Sequence, residues 1–224
     1  MRPPTRRAVT VADQGLVARH SKGCVILIDD DAEVLAALQA LIEMEGYACE
    51  PHASAAACLQ DLNSGTPRFA GPRCVLCDMK MPGMDGLEFQ RRLAELGELP
   101  LIFMSGGSAT QDAVHAFRGG ALDFMIKPVD ASDLLLVVAK ALRADADRRQ
   151  NFERQGAVAA RVASLTERER DIARRVAQGQ TNLGIAADLG LALRTVKLHR
   201  QRALEKIGVS RVAGLVRVAD EAGL

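Results

Sequence analysis

Five short apolar runs alternate with helical segments between residues 23 and 143, and Gly, Pro or charged residues flank each run. Runs of this length predict buried strands, and a regular strand–helix alternation predicts a parallel sheet covered on both faces. The predicted strands span residues 24–28, 47–50, 74–77, 101–104 and 123–126. Because crossovers between parallel strands are right-handed, we expect an α/β, doubly wound, five-stranded parallel sheet of flavodoxin-like topology.

Beyond residue 160 the pattern changes to short helices only. Thr166 and Glu169 form a capping box at the start of the first of them. The second and third predicted helices, 183–189 and 194–206, are separated by a tight turn with helix-turn-helix spacing. Ser210 is the expected cap of the fourth helix. We therefore predict a small all-α helix-turn-helix domain at residues 161–224.

The rest of the chain is predicted to be a tail and a linker. Residues 1–22 are basic and aperiodic, which indicates a flexible tail ahead of the first domain at 23–143. Asp145 and Arg149 interrupt a heptad seam of Leu135, Val138 and Leu142, so a long coiled coil is not expected. Residues 144–160 are predicted to be a solvated helical linker whose helix ends near Gly156.

The net charge of +1 hides a division between the two predicted domains. Residues 23–144 carry 9 Lys and Arg against 17 Asp and Glu, a net charge of −8. Residues 161–224 carry 12 against 7, a net charge of +5, which indicates a partner that is a polyanion. No apolar run is long enough to span a bilayer and no secretory signal is recognisable, so we expect a cytoplasmic protein without membrane association.

The chain has five cysteines, and Cys74-x-x-Cys77 invites a zinc or redox interpretation. Residues three apart in a strand point to opposite faces, and no second cysteine pair completes a ligand set. We expect these thiols to act as small buried hydrophobes.

Polar residues follow four of the predicted strands. Asp29 and Asp30 follow the first strand, Asp78 the third, Ser105 the fourth and Lys127 the fifth. Carboxylates that converge without His or Cys ligands suit a hard cation such as Mg²⁺. One carboxylate could then attack a phosphorus centre, while an ammonium and a hydroxyl match the charge on the phosphoryl oxygens. We therefore predict Mg²⁺-dependent aspartyl-phosphate chemistry at this edge of the sheet.

Residues 24–143 resemble the receiver domain of bacterial two-component response regulators. The resemblance implies that Asp78 accepts a phosphoryl group from a histidine kinase and that Ser105 and Lys127 bind that group. It also implies that Asp30, Asp78 and the backbone carbonyl of Lys80 hold Mg²⁺, with Asp29 assisting. The matching motifs are Ile28-Asp29-Asp30, Asp78-Met79-Lys80-Met81-Pro82-Gly83-Met84-Asp85-Gly86, Met104-Ser105-Gly106 and Phe124-Met125-Ile126-Lys127-Pro128.

The same resemblance implies two conformational features. Phe124 matches the switch aromatic of the family, which swings inward when Ser105 moves toward the phosphate; a static core ring is the alternative. The Lys127–Pro128 peptide bond is expected to be cis.

Residues 161–224 resemble the LuxR-type DNA-binding domain in the arrangement of the FixJ/NarL class. The resemblance implies that helix 194–206 enters the major groove of DNA. Lys197, Leu198 and Gln201 match positions that face base edges, whereas Arg194 and Thr195 match positions nearer the DNA backbone. The matching residues are Leu165-Thr166-Glu167-Arg168-Glu169-Arg170, Gly179, Asn182, Ile185-Ala186, Arg194-Thr195-Val196-Lys197, His199 and Lys206-Ile207-Gly208-Val209.

Three departures from the LuxR-type pattern qualify the second resemblance. Leu183 stands where the family usually has Lys, Ala192 where it has Ser or Thr, and Arg202 where it has Asn. Leu183 removes an expected phosphate contact, and Ala192 removes an expected helix cap.

Together the two resemblances predict a phosphorylation-switched transcriptional regulator. Its expected partners are a sensor histidine kinase, promoter DNA, RNA polymerase and, on phosphorylation, a second copy of the chain. Two alternatives stay open, a phosphorylation-independent regulator and a protein-interaction module with a degenerate DNA-binding surface. An aspartyl-phosphate hydrolase is disfavoured because Lys80 occupies the position of its second acid. Beyond accepting a phosphoryl group and slowly losing it, the protein is not expected to be an enzyme.

Overall fold

The computed structural model describes residues 22–64, 69–107 and 110–224, so the predicted tail lies, apart from Lys22, outside the described residues. Its first part is a sheet of five parallel strands in the order β2-β1-β3-β4-β5. The strands are β1 (Cys24–Ile28), β2 (Ala48–His52), β3 (Arg73–Asp78), β4 (Leu101–Ser105) and β5 (Asp123–Ile126). This order confirms the doubly wound fold, since the chain moves outward from β1 first to one edge and then to the other.

Helices cover both faces of the sheet, and consecutive strand residues pack into two separate apolar clusters. Val75 and Cys77 of β3 belong to one cluster, whereas Cys74 and Leu76 belong to the other. The helices are α1 (Ala32–Met44), α2 (Ala55–Asn63), α3 (Gly86–Leu96), α4 (Thr110–Arg118) and α5 (Ala131–Ala163). None of the described helices is long and apolar enough to cross a membrane.

The five cysteines carry free thiols. Cys74 and Cys77 lie on opposite faces of the sheet, as the spacing predicts. Burial raises the pKa of all five thiols, to about 12 for Cys49 and Cys58. A thiol rather than a thiolate is a weak nucleophile and a poor metal ligand, so these residues act as small hydrophobes.

Helix α5 continues to Ala163, and the prediction that it ends near Gly156 is wrong. A glycine inside a helix costs only about 1 kcal/mol relative to alanine. Three alanines follow Gly156, at positions 157, 159 and 160. Val162 is buried in the apolar cluster of the following helices, and Val158 packs against that cluster. The stabilisation from packing of this end of α5 therefore outweighs the helix-propensity cost of Gly156. The chain divides into two compact units between Arg148 and Arg149, inside this helix; the domain boundaries at 143 and 161 stay predictions.

The buried face of α5 differs from the predicted seam. Leu134, Val138 and Leu142 pack against the sheet, whereas Leu135 is only half-buried. Asp145, which the heptad pattern treats as an interruption, is fully buried. Its Oδ2 accepts the backbone N–H of Arg73 at 2.8 Å, and its Oδ1 pairs with the Arg148 guanidinium at 2.6 Å. Asp145 thus connects α5 to the first residue of β3.

The second unit contains α6 (Glu167–Ala177), α7 (Asn182–Leu189), α8 (Leu193–Ile207) and α9 (Val212–Ala222). Its apolar core includes Val196, Ala203 and Ile207 on the inner face of α8, as predicted. Ser210 does not cap α9, because the residue at the cap position is Arg211, which makes no side-chain cap hydrogen bond. The side chain that caps a helix is that of the N-cap residue, and Ser210 lies one residue before that position.

The capping box of α6 is present, and a lysine of α8 binds to its carboxylate. Glu169 is buried, and its Oε2 accepts the Lys206 ammonium at 2.6 Å and the Thr166 backbone N–H at 3.0 Å. The hydrogen bond from Lys206 is the main reason that the pKa of the Glu169 carboxyl falls to about 2. Lys206 thereby secures the end of α8 to the start of α6.

Glu169 gives a testable pH dependence. Its folded-state pKa lies below the ordinary value of 4.5, so its stabilising contribution is present above pH 4.5 and lost as the pH falls toward 2. We expect Glu169→Gln to lower the free energy of unfolding at neutral pH by about 1–3 kcal/mol and to flatten this acid dependence. Thermal unfolding of the full-length protein between pH 2 and 7 measures both effects. Glu167→Gln, at an exposed position on the same helix, is the control and should leave the profile unchanged.

Candidate functional site

The carboxyl ends of three strands bring two carboxylates and one ammonium into contact. Asp78 is the last residue of β3, Asp29 follows β1, and Lys127 follows β5. The Lys127 Nζ lies 2.7 Å from Asp29 Oδ2 and 2.5 Å from Asp78 Oδ1. Lys127 thus forms one ion cluster with Asp29 and Asp78, which lie 98 and 49 positions earlier in the sequence.

Backbone amides orient both carboxylates. Asp29 Oδ1 accepts the N–H of Asp31 at 3.0 Å, and Asp78 Oδ2 accepts the N–H of Lys80 at 2.7 Å. Asp31 in turn caps α1 by accepting two amides of its first turn. Both carboxylates are nearly inaccessible, with Asp29 2% and Asp78 7% exposed. Each therefore has one oxygen held by the backbone and one directed to Lys127.

Lys127 is positively charged and fixed in place. Partial burial alone would lower the pKa of its ammonium, but the hydrogen bonds to Asp29 and Asp78 outweigh burial and raise that pKa. Its backbone N–H donates to the Ser105 carbonyl at 2.7 Å, and the Lys127–Pro128 peptide bond is cis, as expected. The cation is therefore held at the meeting point of the two acids.

The Ser105 hydroxyl is the unsatisfied group of this site. Ser105 is 1% exposed, and its Oγ has no hydrogen-bond partner among the described residues. A buried hydroxyl without a partner is costly and indicates that a ligand or a rearrangement supplies one. The next two residues, Gly106 and Gly107, are exposed, with open space where side chains would project. Their backbone amides can approach an anion.

The donor chemistry fits Mg²⁺. Asp30 is exposed, and no three His, Cys, Asp or Glu side chains form a metal-ligand group in the described part of the chain. Mg²⁺ needs no such group, since it usually keeps several waters and takes one or two carboxylates. The site has three carboxylates, those of Asp29, Asp30 and Asp78, and one ammonium, that of Lys127, which gives a net charge of −2. A divalent cation here would balance that charge.

Gly86, the last residue of the motif that begins at Asp78, is required for the geometry of the site. A Cβ at Gly86 would lie 2.8 Å from the Phe103 ring and 3.1 Å from the Asp78 carbonyl oxygen. Only glycine therefore allows α3 to start this close to the end of β3. The available signal is its position one residue after Asp85, the N-cap of α3.

Phe124 lies on β5 opposite Phe103 and is half-buried against the apolar cluster that contains Phe103. Its inward swing during switching stays a prediction.

In the second unit, α8 exposes Arg194, Lys197, Leu198 and Gln201, whereas Thr195 is half-buried. The cationic surface of this helix is smaller than its sequence suggests. Lys206 binds Glu169, and Arg200 donates to the Asn182 side chain at 2.9 Å. A lysine in the last turn of α8 reaches the capping box of α6, a contact that helical periodicity cannot reveal.

Ala192 occupies the N-cap of α8 without a side-chain hydrogen bond. Ala192→Ser is therefore expected to raise the free energy of unfolding by about 1 kcal/mol, because a hydroxyl there can accept a first-turn amide. Thermal unfolding of the full-length protein tests this. The mirror control is Thr181→Ala, which removes the cap that Thr181 gives to the Gly184 amide and should lower stability by a similar amount. An unchanged or lowered melting temperature for Ala192→Ser would contradict the expectation.

Comparison with known proteins agrees with this architecture. The family model of the response regulator receiver domain matches residues 25–139, and that of the bacterial regulatory proteins of the luxR family matches residues 163–219. The fold and the matched models thus define a two-domain regulator of transcription.

Relatives match over most of their length. Response regulator protein TmoT of Ectopseudomonas mendocina is 37% identical over 197 residues, which cover 88% of this chain and 87% of that protein. Transcriptional regulatory protein FixJ of Azorhizobium caulinodans is 35% identical over 201 residues, covering 89% and 93% respectively. The solved structure of response regulator StyR aligns with a TM-score of 0.78 at 31% identity and covers 90% of this chain and 100% of that one. The chain belongs to the response regulators that join a receiver domain to a LuxR-type DNA-binding domain.

Proposed function

We propose that Asp78 is the phosphoacceptor of this response regulator and that a sensor histidine kinase is the donor. The observation that supports the proposal is the contact of Lys127 with both Asp78 and Asp29 at the carboxyl edge of the sheet. An oxygen of Asp78 attacks the phosphorus, the bond between phosphorus and the imidazole nitrogen of the kinase breaks, and an acyl phosphate forms on Asp78.

The neighbouring groups stabilise the charge that develops on the phosphoryl oxygens. Lys127 donates to one of these oxygens, and the Ser105 hydroxyl, buried without a partner, donates to another. The exposed amides at Gly106 and Gly107 can approach the same group. Asp29, Asp30, Asp78 and the backbone carbonyl of Lys80 would hold Mg²⁺, which supplies positive charge beside the transferring group.

Phosphorylation then changes the contacts of Lys127 and Ser105. In the unmodified protein Lys127 is shared by two carboxylates, so a phosphoryl group on Asp78 competes for its ammonium. Movement of Ser105 toward the phosphate leaves room for Phe124 to swing inward, and this movement transmits the signal to β5.

The response is dimerisation on DNA. Large apolar side chains are exposed on the elements around the edge strand β5, and a second copy of the chain can cover them. Two α8 helices would then meet two half-sites of promoter DNA, where linked contacts bind more tightly than single ones, and the complex would act on RNA polymerase in the cytoplasm. The exposed side chains are Val114 and Phe117 of α4, Ile126 of β5 and Leu136 of α5.

The alternative is an interaction module whose α8 binds protein. Leu183, which is 69% exposed where relatives of this domain usually carry Lys, favours it. The exposed Arg194 and Lys197 on α8 favour DNA, because cations on a groove-entering helix bind phosphates.

Acetyl phosphate tests the proposal, with Mg²⁺ in the buffer. The wild-type protein is expected to gain one phosphoryl group per chain, lose it slowly and bind promoter DNA more tightly, whereas Asp78→Asn gains neither the group nor the affinity. Asp133→Asn, at an exposed site on α5, is the control and should behave as wild type. Equal DNA affinity of wild type and Asp78→Asn with and without acetyl phosphate would exclude the switch, and absence of salt-dependent DNA binding would favour the interaction module.

A further inference from the structure

The exposed residues of α8 opposite its buried face, here called the outer stripe, differ in chemistry in a way that phosphate binding does not explain. Its residues recur every three or four positions on the side opposite the buried Val196, Ala203 and Ile207. All of them are exposed, and two are the cations expected on a DNA-binding helix. The other three are a leucine, an amide and a carboxylate, of which the carboxylate repels phosphates. The stripe consists of Arg194, Lys197, Leu198, Gln201 and Glu205.

A hydrogen bond joins the amide to the carboxylate. Gln201 Nε2 donates to Glu205 Oε1 at 2.9 Å, one helical turn onward. A carboxylate only accepts hydrogen bonds, so Glu205 holds the amide nitrogen toward itself and disfavours the flipped amide, whose oxygen would face a negative charge. Gln201 is left with its carbonyl oxygen and one N–H, an acceptor beside a donor. The major-groove edge of adenine presents the complementary pair, the N6 donor and the N7 acceptor.

Leu198 supplies a second, apolar contact next to this amide. It is 45% exposed on the same stripe and cannot bind a phosphate or a base nitrogen. The group it can contact in the major groove is the 5-methyl of thymine. Three residues along a helix correspond to a rise of about 4.5 Å. Leu198 and Gln201 are therefore neighbours on the stripe, and two side chains this close can reach base edges that are one base-pair step of about 3.4 Å apart.

We propose that α8 reads adjacent A·T pairs in each half-site: Gln201, positioned by Glu205, binds adenine, and Leu198 contacts the methyl group of a neighbouring thymine. The inference rests on the proposed entry of α8 into the major groove, and it adds the base identities. Glu205 is a positioning residue, since it acts through Gln201. Its repulsion of the DNA backbone is the cost of that orientation.

Binding-site selection with the phosphorylated full-length protein gives the test. The selected half-site is expected to contain adjacent A·T pairs. Gln201→Ala should reduce the preference for adenine at one position roughly tenfold or more, and Gln201→Glu should change that preference to cytosine, whose N4 amine donates to a carboxylate. Glu205→Ala should reduce the same adenine preference without weakening binding to random duplex. Glu221→Ala, which removes a carboxylate of α9 instead, is the matched control and should leave the preference unchanged.

Replacement of the thymine by deoxyuridine tests the methyl contact, because only the 5-methyl group is lost. Wild type should bind the uracil duplex severalfold more weakly, and Leu198→Ala should bind both duplexes equally. The inference is overturned if Glu205→Ala keeps the wild-type adenine preference, or if uracil weakens both proteins alike. In either case phosphorylation-dependent binding would survive and the proposed function with it. Failure of the wild-type protein to bind any duplex would instead reject the proposed function.

Discussion

Lys127→Met is expected to destabilise the receiver unit and to suppress phosphorylation together. The substitution leaves the buried carboxylates of Asp29 and Asp78 without their shared cation, and removal of one partner from a buried ion pair costs about 3–5 kcal/mol. Added Mg²⁺ should restore much of this stability, because a divalent cation can balance the same two acids. Uptake of phosphate from acetyl phosphate should fall about 100-fold, as when one charge-stabilising donor is removed.

Thermal unfolding with and without Mg²⁺, and phosphate uptake on the same samples, measure these effects. Lys140→Met is the matched control, since Lys140 pairs with Asp123 at 3.5 Å through a side chain that is 61% exposed. A surface pair of that kind contributes at most about 1 kcal/mol. Wild-type melting and wild-type uptake in Lys127→Met would show that the ion cluster neither stabilises the unit nor serves phosphoryl transfer.

Asp145→Ala is the second substitution with a large expected effect. It removes the acceptor of the Arg73 backbone N–H and the partner of Arg148, from a position that is fully buried. We expect a loss of about 1–3 kcal/mol in the free energy of unfolding, because the N–H of Arg73 loses its buried acceptor, whereas the Arg148 side chain, 41% exposed, can turn to solvent. Because domains are stabilised by only about 5–15 kcal/mol, the melting temperature of the receiver unit should fall clearly.

Two further variants separate the contributions of this residue. Asp145→Asn keeps an oxygen for the Arg73 amide but loses the charge. It should therefore lower the free energy of unfolding less than the alanine variant does. Asp147→Ala, at an exposed position two residues later, should change stability by no more than about 0.5 kcal/mol. Equal melting temperatures of Asp145→Ala and Asp147→Ala would contradict the structural role of Asp145.

The sheet and the residues of the acidic site could be predicted because both depend on local patterns. Apolar runs of four to six residues define the strands, and parallel strands bring their carboxyl ends to one edge whatever the loops do. Asp29, Asp78 and Lys127 are each adjacent to such an end, so their meeting follows from topology alone. Observed boundaries differ from those expected mainly by one or two residues, as where β3 includes Arg73 and Asp78.

Features that depend on contacts distant in sequence could not be predicted. Nothing near Asp145 indicates that the amide of Arg73, 72 residues earlier, lies beside it. Lys206 reads as one more cation of α8 until Glu169, 37 residues earlier, is placed next to it. The passage of α5 through Gly156 likewise depends on the burial of Val162 by helices that follow it in the chain. In each case tertiary packing overrides a local signal that pointed elsewhere.

The poorly reactive thiols make this chain suitable for labelling without removal of its own cysteines. Four of the five are buried, Cys49 is half-buried, and burial raises the pKa of all five, so maleimide reagents should react slowly with the native protein. Phe117→Cys or Leu136→Cys would then introduce a thiol that is far more accessible than the native ones, at a position whose side chain is 52% or 72% exposed. A spectroscopic probe or a cross-linker attached there would report whether two copies of the chain come together on phosphorylation, as proposed.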